Sequence, residues 1–304
     1  MSTLLVSVRG SSWREWLKKH RRSRDLLILD PADPEHGTPG RLVLQRGDKA
    51  LLWRFAGTLE PTRNPLAFLS AAANLAPLAS EDAIVLFFEV RFTPVLRQLA
   101  LAVAQLLRSD EILIPDGCGF EGFGWPVGPQ RVGLEPAFPE VVAAAQRRSR
   151  WIEMLERCEA HEVPLDRVSI EGLRLGGGLP IPIGSLHLAG VQNALHAEVF
   201  GSTLFLVARD GLDQDHIGRA LDLTHASAAM VVEPSSYSGL LCSFADQLGD
   251  DFGMGMVEEI DFERRLVRAK CTAVAPAPVR ILKIGSLRID AGGKELGETK
   301  PWSA

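Results

Sequence analysis

The sequence predicts an α/β protein: a parallel sheet with flanking helices over residues 1–178, followed by a smaller β-rich C-terminal domain over 179–304. Three observations carry that expectation. The first half alternates short, fully apolar runs with helical patterns, the signature of βαβ organisation. The second half strings together short strand-like segments with few helical patterns between them. A chain of 304 residues is long enough for about two domains, each burying its own core.

Taken in order, residues 4–8 read as a strand, and Trp13, Trp16 and Leu17 recur at helical spacing behind Ser11 or Ser12 as a cap. Residues 26–29 form a second apolar strand. Residues 42–44 and 50–55 read as paired strands around a Gly47-Asp48 turn, and 64–76 as an alanine-rich helix. A strand at 83–88, a helix at 95–107 and a strand at 111–114 complete the βαβ pattern. Residues 116–139 hold glycines at 117, 119, 122, 124, 128 and 133 and prolines at 126, 129, 136 and 139, a density that predicts a long irregular loop. Helix resumes over 139–159, and Gly176-Gly177-Gly178 reads as a hinge or linker. Strand-like segments follow at 186–188, 194–199, 204–208, 228–232, 240–244, 255–260, 264–269 and 279–284, with no internal repeat.

The charge balance is 33 basic to 38 acidic residues, a net charge of −5, so any polyanion site has to be a local patch rather than bulk attraction. With 46% hydrophobic and 23% charged residues, the chain has an ordinary globular composition. No apolar run approaches the ~20 residues of a membrane span, and residues 4–6 are too short for a secretory core, so the expectation is a cytoplasmic protein without membrane contact. Cys118, Cys158, Cys242 and Cys271 stand apart without metal-ligand spacing, and the seven histidines show no HxH or HExxH pattern, so no metal site is expected.

Three groups of residues point to chemistry. Asp30, Asp33 and Glu35 follow directly on the strand at 26–29, where carboxylates at the carboxyl end of a parallel strand meet ligands. The same residues also read as a Pro/Gly turn whose carboxylates cap local amides. Arg9, Gly10, Ser11 and Ser12 precede a helix and suit an anion such as phosphate, or serve as an ordinary cap. Arg14, Lys18, Lys19, Arg21, Arg22 and Arg24 form the one dense basic run, with Arg147, Arg148 and Arg150 as a second cluster; each reads as a phosphate-contacting patch or as a solvated helix face.

At this point the chain resembles a known family. Residues 27–44, containing ILDPADPEHGTPGRLVL, resemble the strand and loop of the polynucleotide 5′-hydroxyl kinases, the P-loop kinases of RNA processing. Residues 55–61 with Asn64-Pro65-Leu66 are similar to that family's F-x-G-x-x-S-P segment. Arg147-Arg148-Ser149-Arg150 resembles its arginine-bearing lid helix, and 253–261 with 284–288 its small C-terminal β domain. The resemblance implies a P-loop-kinase-like sheet. Departures accompany it. The family's phosphate loop, G-x-x-x-x-G-K-[ST], has no counterpart between Val8 and Trp13, and the only Gly-Lys pair is Gly293-Lys294. The resemblance also places Gln at Asp33, Asp at Ile28, and an N-T-x-G-W segment where this chain has Phe88-Glu89-Val90-Arg91-Phe92.

The expected function is therefore a degenerate relative of these kinases that binds, scaffolds or regulates, with RNA or single-stranded nucleic acid and a protein as partners and no cofactor. The alternative is an active metal-dependent phosphoryl transferase on nucleic-acid 5′ ends, using ATP and Mg2+ with Asp30 and Asp33 as catalytic residues. A purely structural subunit of a larger assembly is the third possibility.

Overall fold

In a computed structural model, residues 2–47, 49–172, 174–272 and 278–299 are described; Asp48 of the expected hairpin turn lies outside them. The chain divides into two compact units, Met1–Glu153 and Met154–Ala304.

The first unit runs β1 (Thr3–Val6), β2 (Ser11–Ser12), α1 (Arg14–His20), β3 (Leu26–Leu29), β4 (Arg41–Arg46), β5 (Lys49–Phe55), α2 (Pro65–Leu75), β6 (Ile84–Phe87), α3 (Pro94–Leu107), β7 (Glu111–Pro115), β8 (Gln130–Val132), β9 (Glu135–Pro136) and α4 (Glu140–Leu155), whose last two residues pass into the second unit. Its seven-stranded sheet has the order β5-β4-β3-β6-β1-β7-β8. Strands β3, β6, β1 and β7 are mutually parallel, and β4 and β5 extend one edge as an antiparallel hairpin. The near-continuous apolar runs are explained by burial on both faces. Leu4, Val6, Leu27, Leu29, Val85 and Phe87 pack with Phe68 of α2 and Leu99 of α3, while Leu5, Leu26, Ile28 and Leu86 pack with Trp13 and Leu17. Asn64 and Thr93 cap α2 and α3 through their side-chain oxygens, and proline occupies the first turn of each. At the start of β3, buried Asp25 takes both nitrogens of Arg46 at 2.9 and 3.0 Å, which hold its carboxyl below the ordinary range.

The second unit contains β10 (Cys158–Pro164), β11 (Ser169–Glu171), β12 (Leu179–Pro180), α5 (Ile183–Leu188), β13 (Ala194–Phe200), β14 (Thr203–Ala208), α6 (Gln214–Thr224), β15 (Ala228–Val232), β16 (Leu240–Ala245), β17 (Asp251–Asp261), β18 (Leu266–Thr272), β19 (Ile281–Ile289) and β20 (Glu295–Glu298). One sheet has the order β10-β18-β17-β16-β19-β11 with β20 beside β19; the other has the order β12-β13-β14-β15.

Several expectations are corrected here. The division falls near 153 rather than 178, because β10 and β11 pair with β18 and β19 and so belong to the second unit. That unit is therefore as long as the first, not smaller. The Gly176-Gly177-Gly178 run is pinned rather than free: Gly176 and Gly178 donate their amides to Glu198 at 2.8 and 2.9 Å. Residues 186–188 belong to helix α5 instead of a strand, and the expected helix end at 159 is the start of β10. Helix α6, capped by Asp213, was hidden by its polar composition. The glycine-rich stretch 116–139 is partly ordered, with Phe120 and Phe123 buried in the core and β8 and β9 within it.

Gly255 lies on β17 where a Cβ would stand 1.8 Å from the Lys270 carbonyl oxygen of β18. Backbone cannot retreat there without breaking the ladder. Gly255→Ala should lower the urea-unfolding stability of the chain by at least about 2 kcal/mol; an unchanged midpoint would contradict the β17–β18 register.

Candidate functional site

Parallel strands end together, so their following residues share one edge of the sheet. Phe88 donates its amide to the Leu29 carbonyl at 3.2 Å and Val90 to the Ser7 carbonyl at 2.9 Å, which stitches the ends of β1, β3 and β6. Asp30 stands first after β3. β6 lies between its strand and β1, because the chain leaves β3 through the β4–β5 hairpin and α2 and returns into that gap.

The loop after β3 folds through its own carboxylates. Asp30 Oδ1 accepts from Ala32 N–H at 3.0 Å, Asp33 Oδ1 from Glu35 N–H at 2.6 Å, and Asp33 Oδ2 is 2.6 Å from His36 Nδ1. Gly40 donates to Pro31 at 2.8 Å and accepts from Ala56 and Gly57 at 3.0 and 2.8 Å, so the segments 27–44 and 55–61 form one wall. Two helices reach this loop: Arg14 of α1 pairs with Glu35, and Arg150 of α4 donates to the Pro34 carbonyl at 3.3 Å.

Electrostatics single out Asp30. Burial pushes its carboxyl up to about 7, the negative charges of Asp33 and Glu89 add to that, and the Ala32 amide and Arg147 oppose it. A carboxyl that exchanges its proton near neutral pH can accept one from a hydroxyl. His36 is drawn down by burial, but its hydrogen bond to Asp33 and the charges of Asp33 and Glu35 outweigh this and raise it. Among the described residues no group of three or more His, Cys, Asp or Glu is placed to hold a metal ion.

The connection from β1 to α1 covers residues 7–13, longer than the four residues expected, because β1 ends at Val6. Arg9 and Gly10 form an exposed turn, with Gly10 at φ +82°, closed by the Ser11 amide donating to the Val8 carbonyl at 3.1 Å. Ser11 and Ser12 pair as β2 with β9, opposite Pro136 and Glu135. Ser12 Oγ accepts from Arg14 N–H at 3.3 Å, so its hydroxyl serves the helix start. Trp13 is 3% exposed and donates from Nε1 to the Val6 carbonyl at 3.1 Å. The four residues read as an anion site are thus built into a turn and a strand.

The basic residues divide. Lys18 and Arg22 are exposed, Lys18 pairing with Glu15, whereas half-buried Arg21 donates to the Gly47 carbonyl. Arg147 is buried, bonded to Glu140 at 2.9 Å and close enough to Asp30 to act on its charge; Arg148 is exposed; Arg150 also pairs with Glu153 at 3.0 Å. Sequence reading missed Glu89 as a member of the Asp30 cluster. Its signal was position: it stands two residues beyond β6, as Asp30 stands just beyond β3.

The fold is an α/β one, a mostly parallel sheet with a β-rich second unit, and it is similar to that of Clp1p. The chain is similar to a solved Clp1p–Pcf11p complex, with a TM-score of 0.54 and 12% identity over 94% of this chain and 74% of that one. A second structure, described as an extended Pcf11p–Clp1p interface and a structural basis for ATP loss in a point mutant, gives a TM-score of 0.51 and 14% identity over the same shares. At this identity the likeness is one of fold. No family model and no curated protein sequence matches the chain. No helix among the described residues is long and apolar enough to cross a membrane.

Asp30 supplies a pH test. Its folded value of about 7 lies above the ordinary 3.8, so the native state holds this proton more tightly and stability falls as pH rises between those values. Asp30→Asn should leave urea stability unchanged below that window and raise it by roughly 1–3 kcal/mol at about pH 8. Equal stability of variant and wild type at both pH values would contradict the clustering.

Proposed function

We propose that the chain is a kinase-fold protein that works by binding, as a scaffolding or regulatory subunit of a protein assembly with nucleic acid as a further ligand, and not by transferring phosphate from ATP. The observation that carries this reading is Trp13. In a phosphate-cradling loop, successive amides wrap the anion and a lysine reaches its oxygens. Here the residue at the helix start is Trp13, buried against the sheet, the Ser11 amide is bonded within the turn, and the first lysine of the chain is Lys18. ATP and Mg2+ belong to the chemistry of the fold family, and residues 7–13 do not fit them. The Clp1p neighbours, solved with the protein Pcf11p, support a protein partner of some kind.

One observation favours the alternative of phosphoryl transfer at nucleic-acid 5′ ends: Asp30 titrates near neutral pH beside Arg147, the combination a general base and a charge-neutralising cation would use. A 5′-hydroxyl oligonucleotide incubated with labelled ATP and Mg2+ decides between them. The binding reading expects no labelled product; label transfer that is lost in Asp30→Asn would establish the alternative.

Nucleic-acid binding should rest on the exposed part of the basic run. Single-stranded RNA is expected to bind weakly, with a log–log salt slope of about −0.7 per phosphate contact. The double variant Lys18→Glu, Arg22→Glu should reduce both affinity and slope. A titration with identical curves for variant and wild type would reject this face.

A further inference from the structure

The second unit encloses a cleft of about 930 Å3, within the range of small-molecule sites, that the kinase-like reading does not use. Along β13, His196, Glu198 and Phe200 share one face by strand alternation, and Phe200 packs with the core of the larger sheet. Two polar residues thus stand on an inward face that is otherwise apolar. Glu198 is 3% exposed. Its Oε1 accepts from the Gly176 amide at 2.8 Å and from His196 at 2.6 Å, and its Oε2 from the Gly178 amide at 2.9 Å. Burial raises this carboxyl, but those three donors outweigh it and hold it below the usual range.

The consequences follow from donor and acceptor rules. Glu198 is an acceptor satisfied by three donors, so it needs no cation from a ligand. An ionised carboxylate only accepts, so His196 carries its hydrogen on Nε2 and has Nδ1 to offer. His187, also on the cleft wall, is fixed the same way, because its Nε2 faces the Ala194 carbonyl oxygen at 2.9 Å. Arg209, just after β14, pairs with Glu263 of the β17–β18 turn, whereas the Arg265 guanidinium of that turn has no partner among the described residues. Arg265 also sits at φ +54°, a left-handed conformation that disfavours any side chain. The Tyr237 hydroxyl is fully buried without a hydrogen bond among the described residues, and its ring packs on Phe262, which lies against His196 with ring centroids 5.7 Å apart.

We propose that this cleft binds a small amphiphilic organic anion, its apolar body against Leu165, Leu175 and Phe262, its carboxylate or phosphate on Arg265, and a hydrogen-bond donor on Nδ1 of His196. The site is independent of the edge that carries Asp30, so neither reading depends on the other.

The probe is 8-anilinonaphthalene-1-sulfonate, an organic anion with an apolar body and one N–H, titrated into the full chain. One saturable site with enhanced fluorescence is expected. Arg265→Glu, an exposed position that does not threaten folding, should weaken it about tenfold or more through loss of a charge-assisted contact. Ser169→Trp, which crowds the cleft from exposed β11, should weaken it further, and Phe92→Ala at the exposed aromatic of the first unit should leave it unchanged. Displacement by octanoate or by octyl phosphate, run side by side, tells a carboxylate ligand from a phosphate one. The proposal is overturned by absence of saturable binding, by binding unaffected in Arg265→Glu and Ser169→Trp, by its loss in Phe92→Ala, or by displacement with neither competitor.

Discussion

Strands β1, β3, β6 and β7 carry almost no polar side chains and are buried on both faces, so their amides and carbonyls have to be satisfied within the sheet and their side chains beneath helices. That constraint decides the rest of the first unit. It forces α2 and α3 to cover one face and Trp13 with Leu17 to cover the other. It also leaves the carboxyl edge as the place where polar residues can gather, which is why Asp30 and Glu89 meet there although they are far apart in sequence. The charge this gathers is costly, and it is relieved in two ways: Asp30 takes up a proton near neutral pH, and Arg147 is drawn close to it.

Trp13 links the packing of the sheet to the question of function. A helix beginning with a large buried indole gains apolar burial against Leu5 and Ile28, and its N–H satisfies the Val6 carbonyl at the strand end. The same stretch closes on itself, the Ser11 amide donating to the Val8 carbonyl at 3.1 Å. In this chain the residues at the start of α1 serve the packing of the sheet face.

Much of this was legible in the sequence, and for identifiable reasons. The runs at 26–29, 83–88 and 111–114 read as buried strands because they are almost wholly apolar, and they overlap β3, β6 and β7. Strand order was less legible: β6 inserts beside β3 through tertiary packing that no local pattern records. α6 was missed because its residues are mostly polar, with Ala220 its one fully buried side chain, and β10 because its alternation is broken by exposed Glu159, Ala160 and Glu162. At the site, Asp30 and Asp33 stood out by their place after a strand. The Glu198–His196 pair left a fainter trace, two polar residues at i and i+2 in an otherwise apolar strand, which becomes meaningful only when the Gly176–Gly178 turn is seen to close over it.

The central claim is that the β1–α1 connection is filled by packing and does not receive nucleotide phosphates. Amide hydrogen exchange across residues 7–13, followed with and without millimolar ATP and Mg2+, tests it directly, because a bound triphosphate would engage those amides and slow their exchange. The account predicts identical exchange in both conditions. Slowed exchange confined to residues 7–13 on adding ATP would contradict it.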